Sequence, residues 1–152
     1  MSTWTFAHRD LDEPHFPDGS PILRPCVEVS PTATDAVYLG VIDSGSPITV
    51  ADPAFLIAAG IDLDKDQPVV EVPLGLGATF ARVPLYRVDL ELIPPVGMDE
   101  PAHRWTLLVG ARTGWRLPFT VLFGQRGWFD LFPTTIGADD ISVHLPSGSA
   151  PG

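Results

Sequence analysis

Tyr38-Leu39-Gly40-Val41-Ile42-Asp43-Ser44-Gly45 is an apolar strand that runs straight into a carboxylate. With Ala36 and Val37 before it, the run is continuously apolar, the pattern of a strand buried on both faces. A carboxylate at the end of a buried strand is unfavourable unless donors are supplied. Gly45 lets the chain turn sharply there, and Ser44 offers a hydroxyl to hold the turn or a neighbour. Taken alone, Asp-Ser-Gly is ordinary turn chemistry. Its weight comes from what surrounds it.

Downstream, Ile48, Thr49 and Val50 form a short extended piece. Asp52-Pro53 followed by Ala-Phe-Leu-Ile-Ala-Ala and Gly60 reads as an N-cap, a proline at the first helical position, one to two turns and a glycine stop. Val69–Val72 predicts a short strand, and Leu74-Gly75-Leu76-Gly77-Ala78 a glycine-rich tip. Ala78–Ile93 predicts a long returning strand, with Tyr86, Val88, Leu90 and Leu92 alternating against Arg87, Asp89 and Glu91. Trp105–Val109, Phe119–Phe123 and Ile141–Leu145 complete the central set. Upstream, Ile22–Val29 is interrupted by Pro25 and predicts an edge strand; Thr3–Ala7 predicts another. Gln125–Phe132 suggests a second short helix ended by Pro133, against which Gly127 counts.

Composition agrees with a turn-dense β domain. The 152 residues suffice for one domain with a real core. Proline (17) and glycine (14) together supply about one residue in five, against roughly one in eight on average. Acids outnumber bases 19 to 9 for a net charge of −10, which argues against a nucleic-acid partner needing a basic face. No apolar run approaches the ~20 residues that cross a bilayer, and Arg9, Asp10, Asp12 and Glu13 leave no signal-peptide core, so the expectation is a cytoplasmic chain without a membrane partner. The single cysteine, Cys26, leaves no intrachain disulfide and no cysteine-built zinc site.

The order Asp-Ser-Gly, capped helix, glycine tip, long strand and then Leu122-Phe123-Gly124 leading into Gln-Arg-Gly-Trp-Phe-Asp resembles the retropepsin-like aspartic proteases, over about residues 35–132. The resemblance implies a mainly β acid-protease barrel with one or two short helices and one catalytic half per chain. It divides the chain into an N-terminal segment 1–35 with edge strands and loops, a retropepsin-like domain 36–146 and a flexible tail 147–152. Asp43 matches the catalytic aspartate, Ser44 the hydroxyl that bonds to the partner chain, and Gly45 the residue whose backbone lines the substrate channel. Leu74, Gly75, Leu76, Gly77, Ala78 and Thr79 match the flap that closes over bound peptide. Leu122, Phe123 and Gly124 match the element threading beside the catalytic loop. One motif per chain implies a homodimer pairing two Asp43 carboxylates, with a peptide or protein substrate, no metal and no other cofactor.

Two features depart from the family pattern. Ser46 stands where alanine is usual, with a hydroxyl able to donate to a carboxylate. Retroviral members pair an acidic residue after the motif with an arginine after the C-terminal glycine; here Pro47, Ile48 and Gln125 offer neither, and Arg126 comes one place later. A non-catalytic peptide- or protein-binding domain of the same fold is the alternative function, and an unrelated β-barrel whose Asp-Ser-Gly is only a turn is the third reading.

Other patterns are ordinary structure. Asp62, Asp64 and Asp66 start like a calcium loop, but Gln67 and Pro73 occupy the required glycine and glutamate places. Gly75-x-Gly77 lies between strands, where no dinucleotide motif sits. Gly110 to Gly114 is spaced like half a phosphate loop, with Trp115 and Arg116 in place of lysine and serine. The four histidines have no metal-binding spacing. Cys26 reads as a small buried apolar residue, and Trp105, Trp115, Trp128 and Phe129 as core or pocket lining. Pro94–Arg104 is long for a hairpin connection.

Overall fold

The computed structural model describes residues 2–76 and 78–146; Gly77 of the expected flap and the expected tail 147–152 lie outside the described residues. Along the chain run β1 (Ser2–Ala7), β2 (Arg9–Asp10), β3 (Leu23–Arg24), β4 (Cys26–Pro31), β5 (Tyr38–Ile42), β6 (Val50–Ala51), α1 (Pro53–Ala58), β7 (Val70–Leu76), β8 (Thr79–Leu92), β9 (His103–Ala111), β10 (Val121–Phe123), β11 (Thr134–Ile136) and β12 (Asp140–Leu145).

Six of these strands close a barrel in the order β4-β5-β10-β6-β9-β8, with β8 pairing back onto β4 through Val29↔Leu92, Ser30↔Glu91 and Pro31↔Leu90. Closure removes the free edges that an open sheet would present. Strand β7 stands outside the ring as the other arm of a hairpin with β8. A separate sheet, β1-β12-β11, covers one side of the core. Its inner residues Trp4, Phe6, Ile141, Val143 and Leu145 are buried with Trp128 and Phe132. Its outer face is polar, with Thr5 Oγ1 3.2 Å from Ser142 Oγ and Thr3 Oγ1 3.0 Å from His144 Nδ1.

Strand β8 changes its buried face partway along. Val83 and Leu85 are buried in a cluster with Ile48 and Val50, whereas Tyr86, Val88, Leu90 and Leu92 face the main core. One long strand thus serves both the hairpin outside the barrel and the barrel itself. Arg87 and Asp89 point outward, as the alternation predicts.

The helix forms as its caps specify: Asp52 accepts from Ala54 N at 3.1 Å, and Gly60 at φ +94° turns the chain away. Phe55 and Leu56 are fully buried. The second helix suggested over Gln125–Phe132 is instead a series of turns. Gly127 adopts φ +102° and its N–H donates to Asp130 Oδ1, so regular helix cannot continue through it. The edge strand expected at Ile22–Val29 also needs correction. Pro25 falls between β3 and β4, where its missing N–H interrupts no ladder, and β4 is paired on both sides. The carboxylates of Asp62 and Asp66 accept from amides of their own loop, as turn residues do.

Because Trp4 fills the seam between the terminal sheet and the core, Trp4→Ala should lower unfolding free energy by about 3–5 kcal/mol. Urea denaturation followed by far-UV circular dichroism checks this. A loss below about 1 kcal/mol would mean that β1 is peripheral to the fold.

Candidate functional site

Strand β5 delivers Asp43 to the barrel rim. Its neighbour β10 runs parallel to it, pairing Gly40↔Val121, Val41↔Leu122 and Ile42↔Phe123. The close approach needs a glycine at position 40, where a Cβ would lie 2.4 Å from the Phe123 ring. Asp43 N–H donates to Phe123 O at 2.8 Å, ending the pairing at the first residue of the turn. The Asp43 carboxylate is half-buried and its Oδ1 accepts from Gly45 N–H at 2.9 Å. Ser44 and Gly45 are exposed.

The chain after β10 passes directly over the loop that follows Asp43. At Gly124 a Cβ would sit 2.2 Å from Ile48 O and 2.5 Å from Ser46 O, so only glycine fits. Gln125 N–H donates to Ser46 O (2.8 Å) and Arg126 N–H to Pro47 O (3.2 Å). Buried Thr49 ties the crossing from below: its hydroxyl accepts from Gly124 N–H at 3.1 Å and donates to Arg126 O at 2.8 Å. Ser46 does not reach the carboxylate, because its hydroxyl donates to Ile48 O at 2.7 Å. Where the retroviral pattern has an ion pair, Gln125 Nε2 donates to Ser44 O at 3.0 Å.

The β7–β8 hairpin pairs from Val70↔Leu85 to Leu76↔Thr79. Leu74 packs on the cluster of Ile48, Val50, Val83 and Leu85, and so do Leu122 and Trp115. The structure therefore brings Leu74 of the hairpin and Leu122 beside Gly124 to one apolar patch next to the Asp43 loop. Gly75 and Ala78 are exposed. Phe80, 81% exposed, lays its ring against Gly75. Phe123 and Gly124 are buried.

Thr49, Gln125 and Phe80 are the residues of this region whose parts sequence reasoning missed, whereas Trp115, expected as core or pocket lining, packs on this cluster. Thr49 carried a legible signal, a hydroxyl between the apolar Ile48 and Val50. The signal for Gln125 was its place after Gly124, which read only as an absent arginine.

The Arg24 guanidinium of β3 interacts through space with Asp43 and is held by Glu13 at 2.7 and 2.9 Å. The hydrogen bond from Arg24 keeps the Glu13 carboxyl below its ordinary range. Cys26 is 1% exposed, and burial pushes its thiol up to about 11. A groove of about 900 Å³ lies between Trp4, Glu100, His103 and Leu145 and includes none of the Asp43 loop.

No family model and no curated protein sequence matches the chain. Among solved structures, it is similar to a retropepsin-like aspartic protease from Rickettsia conorii, with a TM-score of 0.59 at 10% identity, covering 95% of this chain and 91% of that one. The EIAV protease complexed with the inhibitor HBY-793 also aligns, with a TM-score of 0.36 at 15% identity over 74% of this chain and 88% of that one. The chain has a retropepsin-like fold. Among its described residues, no helix is long and apolar enough to cross a membrane.

Thr49→Val keeps the shape and removes the hydroxyl that satisfies Gly124 N–H and Arg126 O, so it should destabilise by about 1–3 kcal/mol in thermal or urea unfolding. Equal stability would show that water replaces the hydroxyl without loss. The thiol of Cys26 should stay unreactive to a disulfide reagent in the native chain at about pH 8 and react fully on unfolding. Rapid native labelling would contradict its burial.

Proposed function

We propose that the chain is an aspartic endopeptidase that works as a homodimer, with two Asp43 carboxylates at the two-fold axis. The observation that carries this reading is a half-buried carboxylate at the end of a buried barrel strand, at the head of an exposed turn and given a backbone donor. An ordinary turn aspartate does not need the crossing of Gly124 and Thr49 beneath it. The likeness in fold to a retropepsin-like aspartic protease supports the same reading.

Peptide hydrolysis without a covalent nucleophile takes one carboxylate as base and one carboxylic acid as proton donor. Two carboxylates held together share a proton, because both cannot ionise side by side. One chain contributes one Asp43, so a second copy is required. Water attacks the scissile carbonyl carbon and passes a proton to the ionised Asp43, while the protonated Asp43 of the second copy donates to the carbonyl oxygen. Collapse of the tetrahedral intermediate breaks the C–N bond, and the leaving amine takes up a proton from the pair.

Ser44 is assigned to contact between the two copies beneath the carboxylates, and Gly45 to the floor of the substrate channel. The hairpin tip at 74–79 acts as the flap over an extended peptide, and Leu122, Phe123 and Gly124 support the catalytic loop. A channel divided between two copies also accounts for the open surface at Asp43 in a single chain.

The test is cleavage of denatured proteins and a peptide mixture, read by mass spectrometry between about pH 4 and 7, where carboxyl pairs titrate. Cuts made by the wild type should fall at least about a thousandfold in Asp43→Asn, the scale of losing an essential acid–base group. Blank profiles from both, with a dimer confirmed in the same sample, would assign the fold here to binding peptide or protein.

A further inference from the structure

The peptide group joining Ser44 to Gly45 is engaged at both of its polar atoms. Its N–H donates to Asp43 Oδ1 at 2.9 Å, and its C=O accepts from Gln125 Nε2 at 3.0 Å. Gln125 is itself anchored, since its main-chain N–H donates to Ser46 O and its neighbour Gly124 is wedged under Ser46 and Ile48. The side chain is therefore a second tether on the turn that its own backbone already holds. Side-chain amide, peptide and carboxylate form a chain of hydrogen bonds running in one direction. In such a chain, a peptide whose C=O accepts becomes a better donor at its N–H.

From this geometry we infer that Gln125 is a positioning residue for Asp43, setting the rotation of the carboxylate and strengthening the donor to its ionised form through the Ser44–Gly45 peptide. The kinetic consequence rests on the catalytic reading of Asp43; the tether itself does not. Of the other elements at the turn, β3 contributes Arg24, which acts on Asp43 through space and is already paired with Glu13; β10, paired with the strand that ends at Asp43, is apolar at Leu122 and Phe123; a second copy adds its own carboxylate.

Two substitutions separate the tether from mere packing. Gln125→Leu keeps bulk and removes the donor. Gln125→Glu donates only while protonated, below about pH 4–5. With kcat and KM measured across pH on a cleaved peptide, Gln125→Leu should lose about tenfold in kcat with KM within about twofold, and its acid limb should move upward. Relative to the wild type at each pH, Gln125→Glu should match that loss near neutrality and recover as its carboxyl protonates. Wild-type kcat and an unmoved acid limb in Gln125→Leu, a loss confined to KM, or a Gln125→Glu profile parallel to the wild type would each overturn the inference. Sedimentation of every variant excludes a lost dimer as the cause.

A carbon-13 NMR titration of the Asp43 carboxyl in the wild type and Gln125→Leu needs no substrate. An upward shift in the variant supports the tether and identical curves overturn it. If the wild type cleaves nothing and the titration still shifts, the catalytic reading fails and the tether stands.

Discussion

The structure turns on one crossing: the main chain at Gly124 lies against the carbonyls of Ser46 and Ile48 with no room for a side chain. Several of the bonds around the Asp43 turn follow from that contact. It places Gln125 and Arg126 within reach of Ser44, Ser46 and Pro47, and it puts the Thr49 hydroxyl where it satisfies an amide on one side and a carbonyl on the other. Buried backbone groups at such a crossing have no water to turn to, so a side-chain hydroxyl at Thr49 takes water's place. Two segments some eighty residues apart are thereby locked as one unit.

That lock explains how an exposed turn can hold a carboxylate in a defined place. Ser44 and Gly45 are open to solvent, and an isolated Asp-Ser-Gly turn would sample many conformations. Here the turn is bounded by the β5–β10 pairing on one side and by the Gln125 bonds on the other. The apolar patch beside it, built from Ile48, Val50, Leu74, Val83, Leu85, Leu122 and Trp115, is shared between the loop, the hairpin, β10 and the connection that precedes β10. Ile48, Val50, Val83 and Leu85 are buried within it, so the hairpin and the loop after Asp43 share one packed base.

Much of this was legible in the residues. The continuous apolar run before Asp43 identified a buried strand, the alternation of Tyr86 to Leu92 identified a half-wet one, and Asp52-Pro53 with Gly60 bounded the helix, because burial and capping are written in local order. Gly127 carried the warning against a helix at Gln125–Phe132, and its left-handed backbone bears that out. Pro25 misled, since a proline signals an edge only when it lies within a strand, and here it falls in the gap between two.

What the sequence determined by itself, then, is most of the strands, the helix and the position of a carboxylate at a strand end, since these depend on the spacing of neighbours along the chain. The short β2 and β11 and the break between β3 and β4 were not legible there. Tertiary structure alone decided which strands meet. The parallel pairing of β5 with β10, the closure of β8 onto β4 and the crossing at Gly124 join residues separated by roughly sixty to eighty positions, and no local pattern encodes a contact of that span. For the same reason Gln125 looked like a missing arginine in one dimension and is, in three, the donor to the peptide that holds Asp43.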